Sequence, residues 1–183
     1  MRSYRTKGED PGEATIWQAA LATSAATSFF QPVKIGDCTY GDGALGANNP
    51  AAHVEREADR IWGKPSERLE SQVRCFVSLG TGHGGINPVS DKAWEFLSKS
   101  LKGVATDTEA TAEEVAARWR HLQTKPYFRF NVQHGLSEVG LAECKPEKIG
   151  LMEAATRDYL DSEETRPRVY RCVTNLRTKE CWW

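Results

Sequence analysis

The stretch Tyr40–Pro50, which reads YGDGALGANNP, holds the residue of this chain whose surroundings are most typical of catalysis. Asp42 stands between two glycines, which would let a substrate or a second backbone come close to its carboxylate. Asn49 and Pro50 predict the N-cap and first turn of a helix that would hold the loop in place. Because Asp-Gly is also a favoured turn dipeptide, the residues alone leave two interpretations, a turn or a catalytic base.

A second glycine-rich stretch, residues 80–85, reads GTGHGG and directly follows a predicted buried strand. It matches G-x-G-x-x-G, but Ile86-Asn87-Pro88 separates it from the next helix, and no acidic residue ends a second strand about twenty residues on. We therefore favour a glycine-rich turn that lines a pocket over a dinucleotide site. His83 lies in this stretch, and a surface or packing role is favoured because no neighbour orients it as a base.

No serine of the chain has glycine at both the second position before it and the second position after it. The chain therefore lacks the G-x-S-x-G elbow that exposes a nucleophilic hydroxyl. Ser78 comes nearest, with Phe76 in place of the first glycine and Gly80 in place of the second. For Ser24 and Ser28, near the end of a predicted helix, the favoured interpretation is a local side-chain-to-backbone hydrogen bond.

Of three nearby aromatic residues, Trp17 lies near the start of that helix, and Phe29 and Phe30 follow its end. They could line a groove for an acyl chain, since lipid pockets use large apolar side chains. Aromatic residues at such spacing more often belong to a hydrophobic core, which is the favoured interpretation.

Composition excludes several classes of function. The 183 residues carry 24 basic and 25 acidic side chains, a net charge of −1 that gives no electrostatic case for binding nucleic acid. No apolar run approaches the roughly 18–20 residues of a membrane span, and the N-terminus has no apolar stretch typical of a secretory signal. Neither the histidines nor the five cysteines show metal-ligand spacing, so we expect no metal, no cofactor and reduced thiols in a cytoplasmic protein.

The predicted elements alternate between helices and strands, which indicates an α/β sheet layered with helices. Residues 1–14 are polar and predict a flexible segment. Helices are predicted over 15–26, 50–62, 90–102, 111–123 and 147–160 and around 169–176, with capping boxes at Thr15–Gln18 and Thr111–Glu114; strands are predicted from Val33 to the Asp42 loop and over 73–79 and 127–132. Three strands are fewer than the five or so of a doubly wound sheet, so the chain looks like part of a fold.

Taken in order, four stretches resemble the patatin-like phospholipase family, particularly its fungal members. They read TIWQAALATSAATSFFQPVKI, YGDGALGANNP, RCFVSLGTG and YFRFNV, and the resemblance extends from Arg2 to about Leu160. It implies a three-layer α/β/α fold and hydrolysis of acyl esters of phospholipids or similar lipids. It further implies a serine–aspartate dyad in which the aspartate takes the serine proton directly. Asp42 matches that aspartate, and Gly43 and Ala44 complete its D-G-A motif.

The chain departs from the family in lacking both the G-x-S-x-G nucleophile and the G-G-G-x-R-G oxyanion loop. Both precede this region in the family, so residues 15–183 correspond to the C-terminal part of the domain, without its first strands. We expect little turnover by the chain alone, and peripheral contact with membranes. Three alternatives stay open: a non-catalytic lipid- or protein-binding pseudo-enzyme, a fragment of a larger protein, and a hydrolase that uses an unrecognised serine.

Overall fold

A computed structural model gives the conformation of most of the chain. It describes Tyr4 and residues 14–26, 29–64, 66–82, 108–137, 139–140 and 143–177. The predicted helix over 90–102, His83 and Ser28 lie outside these ranges.

The first helix, α1 (Ile16–Thr23), begins with the predicted capping box. The Thr15 hydroxyl oxygen accepts from the Gln18 N–H at 3.4 Å, and the Thr15 N–H donates to Gln18 Oε1 at 2.9 Å. The helix ends earlier than the predicted Ala26. Its C-cap is Ser24, whose hydroxyl donates to the Ala20 carbonyl at 2.7 Å, which is the local bond expected for this serine.

A hairpin follows, formed by β1 (Val33–Ile35) and β2 (Cys38–Tyr40) in antiparallel pairing. Its turn contains Gly36 at φ +58°, a conformation that favours glycine. The sequence predicted one strand here. β2 was missed because it is short and its residues show no apolar alternation.

Two helices follow the Asp42 loop: α2 (Ala44–Ala47), which was not predicted, and α3 (Ala51–Trp62). Pro50 occupies the N-cap of α3, one residue later than predicted, and Asn49 still caps the helix because its Oδ1 accepts from the Ala51 N–H at 3.2 Å. A short helix, α4 (Leu69–Gln72), leads toward the second sheet.

That sheet consists of β3 (Phe76–Leu79) and β4 (Tyr127–Phe130), which pair in parallel with Ser78 opposite Arg129. Both strands are shorter than predicted. β4 ends before Asn131, whose N–H donates to the Tyr159 hydroxyl at 3.3 Å and whose side-chain oxygen accepts the Gly82 N–H at 2.8 Å. Parallel pairing brings the carboxyl ends of the two strands to one edge of the sheet.

Between these strands in sequence, residues 108–119 form helix α5. The predicted capping box at Thr111–Glu114 is wrong, since residues 108–110 are already helical and Thr111 lies inside the helix. The chain closes with α6 (Pro146–Asp161) and α7 (Thr165–Arg177), which confirm the last two predicted helices. No helix within the described ranges combines the length and the apolar character needed to cross a membrane.

Helices cover both faces of the β3–β4 pair. On one face, Phe76 packs against Trp119 of α5 with ring centroids 5.4 Å apart, beside a core that includes Ala51 and Val115. On the other face, Arg168 of α7 lies 5.5 Å above the ring of Phe130. This layering confirms the α/β class.

The sheet is incomplete in the described part of the chain, where β3 and β4 pair only with each other. Leu79 of β3 is 74% exposed, an unusual position for an apolar residue of a parallel sheet. The incomplete sheet agrees with the expectation that this chain holds part of a domain.

Candidate active-site loop

The loop that carries Asp42 joins β2 to α2 and is fixed on both sides. The Asp42 N–H donates to the carbonyl of Ala25, just beyond α1, at 3.1 Å. Its carboxylate accepts the N–H of Ala44, the first residue of α2, through Oδ1 at 2.8 Å. The half-buried carboxylate therefore has a defined position, and Oδ2 has no partner within the described ranges.

Turn chemistry does not explain the glycines around Asp42. Positive φ values within the described ranges occur at Lys125 and at glycines elsewhere, but not at Asp42, Gly41 or Gly43. Gly43 has helical angles, φ −63° and ψ −15°. A Cβ added at Gly41, Gly43 or Gly46 would meet no atom within 4 Å. The surface beside the carboxylate is thus open, and the part of the fold described here does not require these glycines.

Two asparagines anchor the far end of the loop. Asn48 Nδ2 donates to Thr108 Oγ1 at 3.0 Å, and Asn49 Nδ2 donates to the Thr108 carbonyl at 3.1 Å. Asn49 is 4% exposed, and its Oδ1 also accepts from Ser78 Oγ at 3.4 Å. The Asp42 loop is therefore tied to both α5 and the sheet.

These hydrogen bonds are part of a larger polar network that lies across the ends of β3 and β4. Arg129 Nη1 donates to Ser78 Oγ at 3.1 Å, and Arg129 Nη2 lies 3.7 Å from Glu109 Oε1. Asn131 Nδ2 donates to the same Glu109 oxygen at 3.2 Å, while Asn131 Oδ1 accepts from Gly82. The network joins the N-N-P, S-L-G-T-G and Y-x-R-x-N stretches that the resemblance singled out.

Comparison with known proteins points to one family. The model of the patatin-like phospholipase family matches residues 2–54, a range that includes the Asp42 loop. Calcium-independent phospholipase A2-gamma of Oryctolagus cuniculus is 29% identical over 170 residues, covering 88% of this chain and 21% of the relative. Phospholipase A I of Arabidopsis thaliana is 29% identical over 160 residues, covering 86% of this chain and 12% of the relative. The chain is therefore similar to the patatin-like phospholipase family.

A further relative, the 85/88 kDa calcium-independent phospholipase A2 of Rattus norvegicus, is 29% identical over 177 residues, covering 84% of this chain and 21% of the relative. This chain thus spans about a fifth or less of the length of these relatives.

The polar network was missed in the sequence, where its members are scattered over more than eighty positions. The detectable signal was the alternation of the two predicted strands, which places Ser78 and Arg129 on the same face if the strands are neighbours. No feature of the sequence predicted that Asn49 would bond to Ser78. This connection depends on the packing of α3 against α5.

The structure also locates the serines considered as nucleophiles. Ser78 is 9% exposed and bonded to both Asn49 and Arg129, so its hydroxyl is not available to a substrate. Ser24 bonds within its own helix. Neither serine is presented on a strand-to-helix elbow of the kind that activates a nucleophile.

The aromatic residues near α1 are on the surface, so the core interpretation was wrong. Trp17 is 62% exposed, Phe30 66% and Phe29 42%. They flank the Ala25 carbonyl that holds the backbone of Asp42. The chain segment that holds the backbone of the candidate base therefore carries exposed aromatic residues.

A cavity of about 660 Å³ is lined by residues of α2, α3 and α5, and Asp42 is not among its lining residues. Its walls carry ion pairs such as Arg118 Nη2 with Glu55 Oε2 at 2.6 Å. Hydrogen bonding to Glu55 is the main cause of the raised pKa of Arg118. Trp119 Nε1 also donates to Glu55, at 2.8 Å. These bonds hold α3 against α5, which suits a structural role better than binding of an acyl chain.

Histidine, cysteine and acidic side chains form no cluster able to hold a metal ion within the described ranges. The cysteines there, Cys38, Cys75, Cys144 and Cys172, are free thiols. Gly80 and Gly82, the described part of the G-x-G-x-x-G match, follow β3 directly and border Asn131 and Leu136. They fit a glycine-rich turn packed against its own chain.

Proposed function

We propose that this chain supplies the base of the serine–aspartate dyad of a lipid acyl hydrolase, and that Asp42 is that base. The single observation that carries the proposal is the Asp42 loop itself. Its carboxylate is fixed through one oxygen by Ala44, while the glycines beside it leave open space that nothing in the described chain fills. A positioned base that substrate can approach needs this combination.

In the proposed reaction, the serine hydroxyl attacks the ester carbonyl carbon while Asp42 accepts its proton. The tetrahedral intermediate expels the lysolipid or alcohol, which takes the proton back from Asp42. Water then attacks the acyl-serine, again passing a proton to Asp42, and the fatty acid leaves as the serine is restored. The carboxylate oxygen held by Ala44 keeps the group oriented, and Oδ2 accepts each proton.

The substrate we propose is a phospholipid or another acyl-ester lipid presented at a membrane surface of the cytoplasm. Trp17, Phe29 and Phe30 support it, because exposed aromatic side chains favour the boundary between water and lipid. Their segment also contacts Asp42 through Ala25, so a lipid held there would lie near the base. The relatives named above are phospholipases.

The nucleophile and the oxyanion donors come, in this proposal, from the family segment that precedes this region. Without them the chain alone has little turnover, because removal of a catalytic serine lowers kcat by about a millionfold in a well-studied hydrolase. In this proposal residues 15–183 act as the C-terminal part of the domain.

A second function, binding of lipid or protein without catalysis, is favoured by one observation. The chain contains no G-x-S-x-G serine, yet it retains the Asp42 loop, the polar network and the exposed aromatic surface. In that case binding survives the Asp42→Asn substitution and no hydrolysis accompanies it.

The test is a gain of activity. The 183-residue chain is compared with a fusion in which the G-G-G-x-R-G and G-x-S-x-G segment of a family member precedes it, and hydrolysis of a fluorogenic phospholipid in vesicles is measured. We expect turnover by the fusion and none by the chain. A fusion with alanine in place of the elbow serine is the control.

A folded fusion without hydrolysis, together with vesicle binding by the chain, would support the binding module instead. Labelling of the 183-residue chain itself by a fluorophosphonate probe would contradict both and point to an unrecognised serine.

A further inference from the structure

Two thiols far apart in sequence meet where α7 covers the sheet. Cys75 immediately precedes β3, Cys172 lies within α7, and their Sγ atoms are 3.7 Å apart although 97 positions separate the residues. The Cys75 thiol also lies 3.9 Å from the Cys172 carbonyl. Cys172 is buried and Cys75 is partly exposed, so one member of the pair can be reached from solvent.

The packing of α7 holds this pair together independently of the thiols. Arg168 donates to the carbonyl of Arg129 at 2.5 Å, and Arg171 lies 5.4 Å above the ring of Phe128. Both contacts fix α7 against β4, which is paired with β3. The folded chain thus keeps the two sulfur atoms 3.7 Å apart, and they must approach to the roughly 2.05 Å of a disulfide bond.

We propose that Cys75 and Cys172 form an oxidative modification site, at which a hydroperoxide converts the two thiols into an intramolecular disulfide that joins α7 to the sheet. The Cys75 thiolate attacks one peroxide oxygen, which breaks the O–O bond and gives a sulfenic acid and the first water (the alcohol, from an alkyl hydroperoxide). The Cys172 thiol then attacks that sulfenic sulfur, forming the S–S bond and releasing water. The two thiols are oxidised by two electrons, and the peroxide is reduced.

Cys75 is the first to react because it is the more exposed of the two. Burial is the main cause that raises the pKa of the Cys75 thiol to about 12, so its thiolate is scarce at neutral pH. The pair is therefore slow to oxidise, and the disulfide forms under sustained exposure to peroxide.

The experiment uses the 183-residue chain with Cys38, Cys144 and Cys181 replaced by serine, so that the pair remains. The folded protein is treated with hydrogen peroxide, denatured, alkylated and analysed by mass spectrometry of its peptides. We expect both thiols to escape alkylation and the peptides of Cys75 and Cys172 to be linked. The midpoint of thermal unfolding should rise by roughly 10 °C, since the disulfide closes a long loop.

The matched control is the same protein with Cys75→Ser, in which peroxide should give neither the linked peptides nor the rise. A second control oxidises the unmodified chain in denaturant, where closing a short loop is favoured and pairs near in sequence, such as Cys172 with Cys181, should dominate. The unmodified native chain should instead give the Cys75–Cys172 link, a readout that does not need the triple variant to fold.

Two results would overturn the proposal. In one, both thiols are still alkylated after prolonged treatment of the folded chain. In the other, native oxidation gives the same mixture of pairs as oxidation in denaturant.

Discussion

Two glycine-rich regions of this chain look alike in sequence and differ in what they do for the fold. At the end of β3, a Cβ on Gly80 would collide with the side-chain oxygen of Asn131, and Gly82 has φ +92° and directly contacts the Leu136 side chain. Around Asp42, a Cβ on Gly41 or Gly43 would meet nothing within 4 Å. The first region needs glycine to pack, and the second does not.

The difference separates the supporting structure from the site. The turn at Gly80–Gly82 belongs to the polar network that fixes β3, β4 and the Asp42 loop relative to one another. The glycines beside Asp42 leave room that the described chain does not use. Open space next to a positioned carboxylate allows a group from outside the described chain to contact it. In the proposed function those groups are the substrate and the nucleophile.

The largest effect on stability is expected at the packed turn. Gly82→Ala should lower the free energy of unfolding by about 2–4 kcal/mol, because alanine is strained at positive φ and its methyl group clashes with Leu136. Urea unfolding followed by circular dichroism measures it. Gly140→Ala is the matched control, since Gly140 lacks a positive φ and its Cβ would meet nothing within 4 Å. Equal stability of the two variants would show that the turn at Gly82 does not need glycine.

Asn49→Ala should lower the free energy of unfolding by about 1–3 kcal/mol, because it removes buried bonds to Thr108, Ser78 and Ala51 at once. Asn48→Ala, which removes the bond of an exposed side chain, should lower it by less than about 1 kcal/mol. Both are measured by the same urea titration. Similar losses at the two positions would mean that the loop is not anchored through Asn49.

The folded chain should also lose stability in alkaline solution, because of the Cys75 thiol. The pKa of the Cys75 thiol is raised to about 12 in the folded chain, so between roughly pH 9 and pH 12 the unfolded chain releases a proton that the folded chain keeps. Stability is therefore present below that window and declines as the pH rises through it. The raised pKa of Tyr127, due mainly to burial, acts in the same direction.

Cys75→Ala isolates the thiol contribution, since Tyr127 is retained. Urea midpoints of the reduced proteins, measured at several pH values, should show a shallower alkaline decline in the variant. The difference should be about 1 kcal/mol, because solvent screens a partly exposed group. Identical slopes would show that the thiol titrates alike in the folded and unfolded chains.

The smallest effect on stability is expected in the Asp42 loop. Gly43→Ala should change the free energy of unfolding by less than about 0.5 kcal/mol, because Gly43 already has helical angles and open surroundings. In the fusion that supplies the serine, the added methyl group should reduce phospholipid hydrolysis, since it occupies space next to the base. A loss of stability comparable to that of Gly82→Ala would remove the distinction between the two regions.

Local signals in the sequence predicted much of the fold. The Thr15–Gln18 capping box, the end of the helix predicted over 50–62 and the last predicted helix all correspond to observed elements. The Thr111 capping box failed because the same residue types also fit inside a helix that begins earlier. The short β2 and α2 were missed because three or four residues carry no periodic pattern.

The sequence likewise predicted the local features of the candidate site but not its long-range contacts. Asp42 and its glycines stand out locally and were found. The support of the loop depends on contacts between Asn49, Ser78 and Thr108, which are distant in sequence and meet only after the helices pack on the sheet. The exposure of Trp17 and Phe30 was likewise not readable, because surface and core can use the same aromatic residues.

The role of Asp42 as the base is tested most directly by the Asp42→Asn substitution. Stability is measured in the 183-residue chain, and phospholipid hydrolysis is measured in the fusion. Asparagine keeps an oxygen that can accept the Ala44 N–H but cannot act as the base. We predict a change in unfolding free energy below about 0.5 kcal/mol and a loss of hydrolysis of at least a thousandfold. Hydrolysis at the parental rate, or a loss that accompanies unfolding, would contradict the assignment of Asp42 as the base.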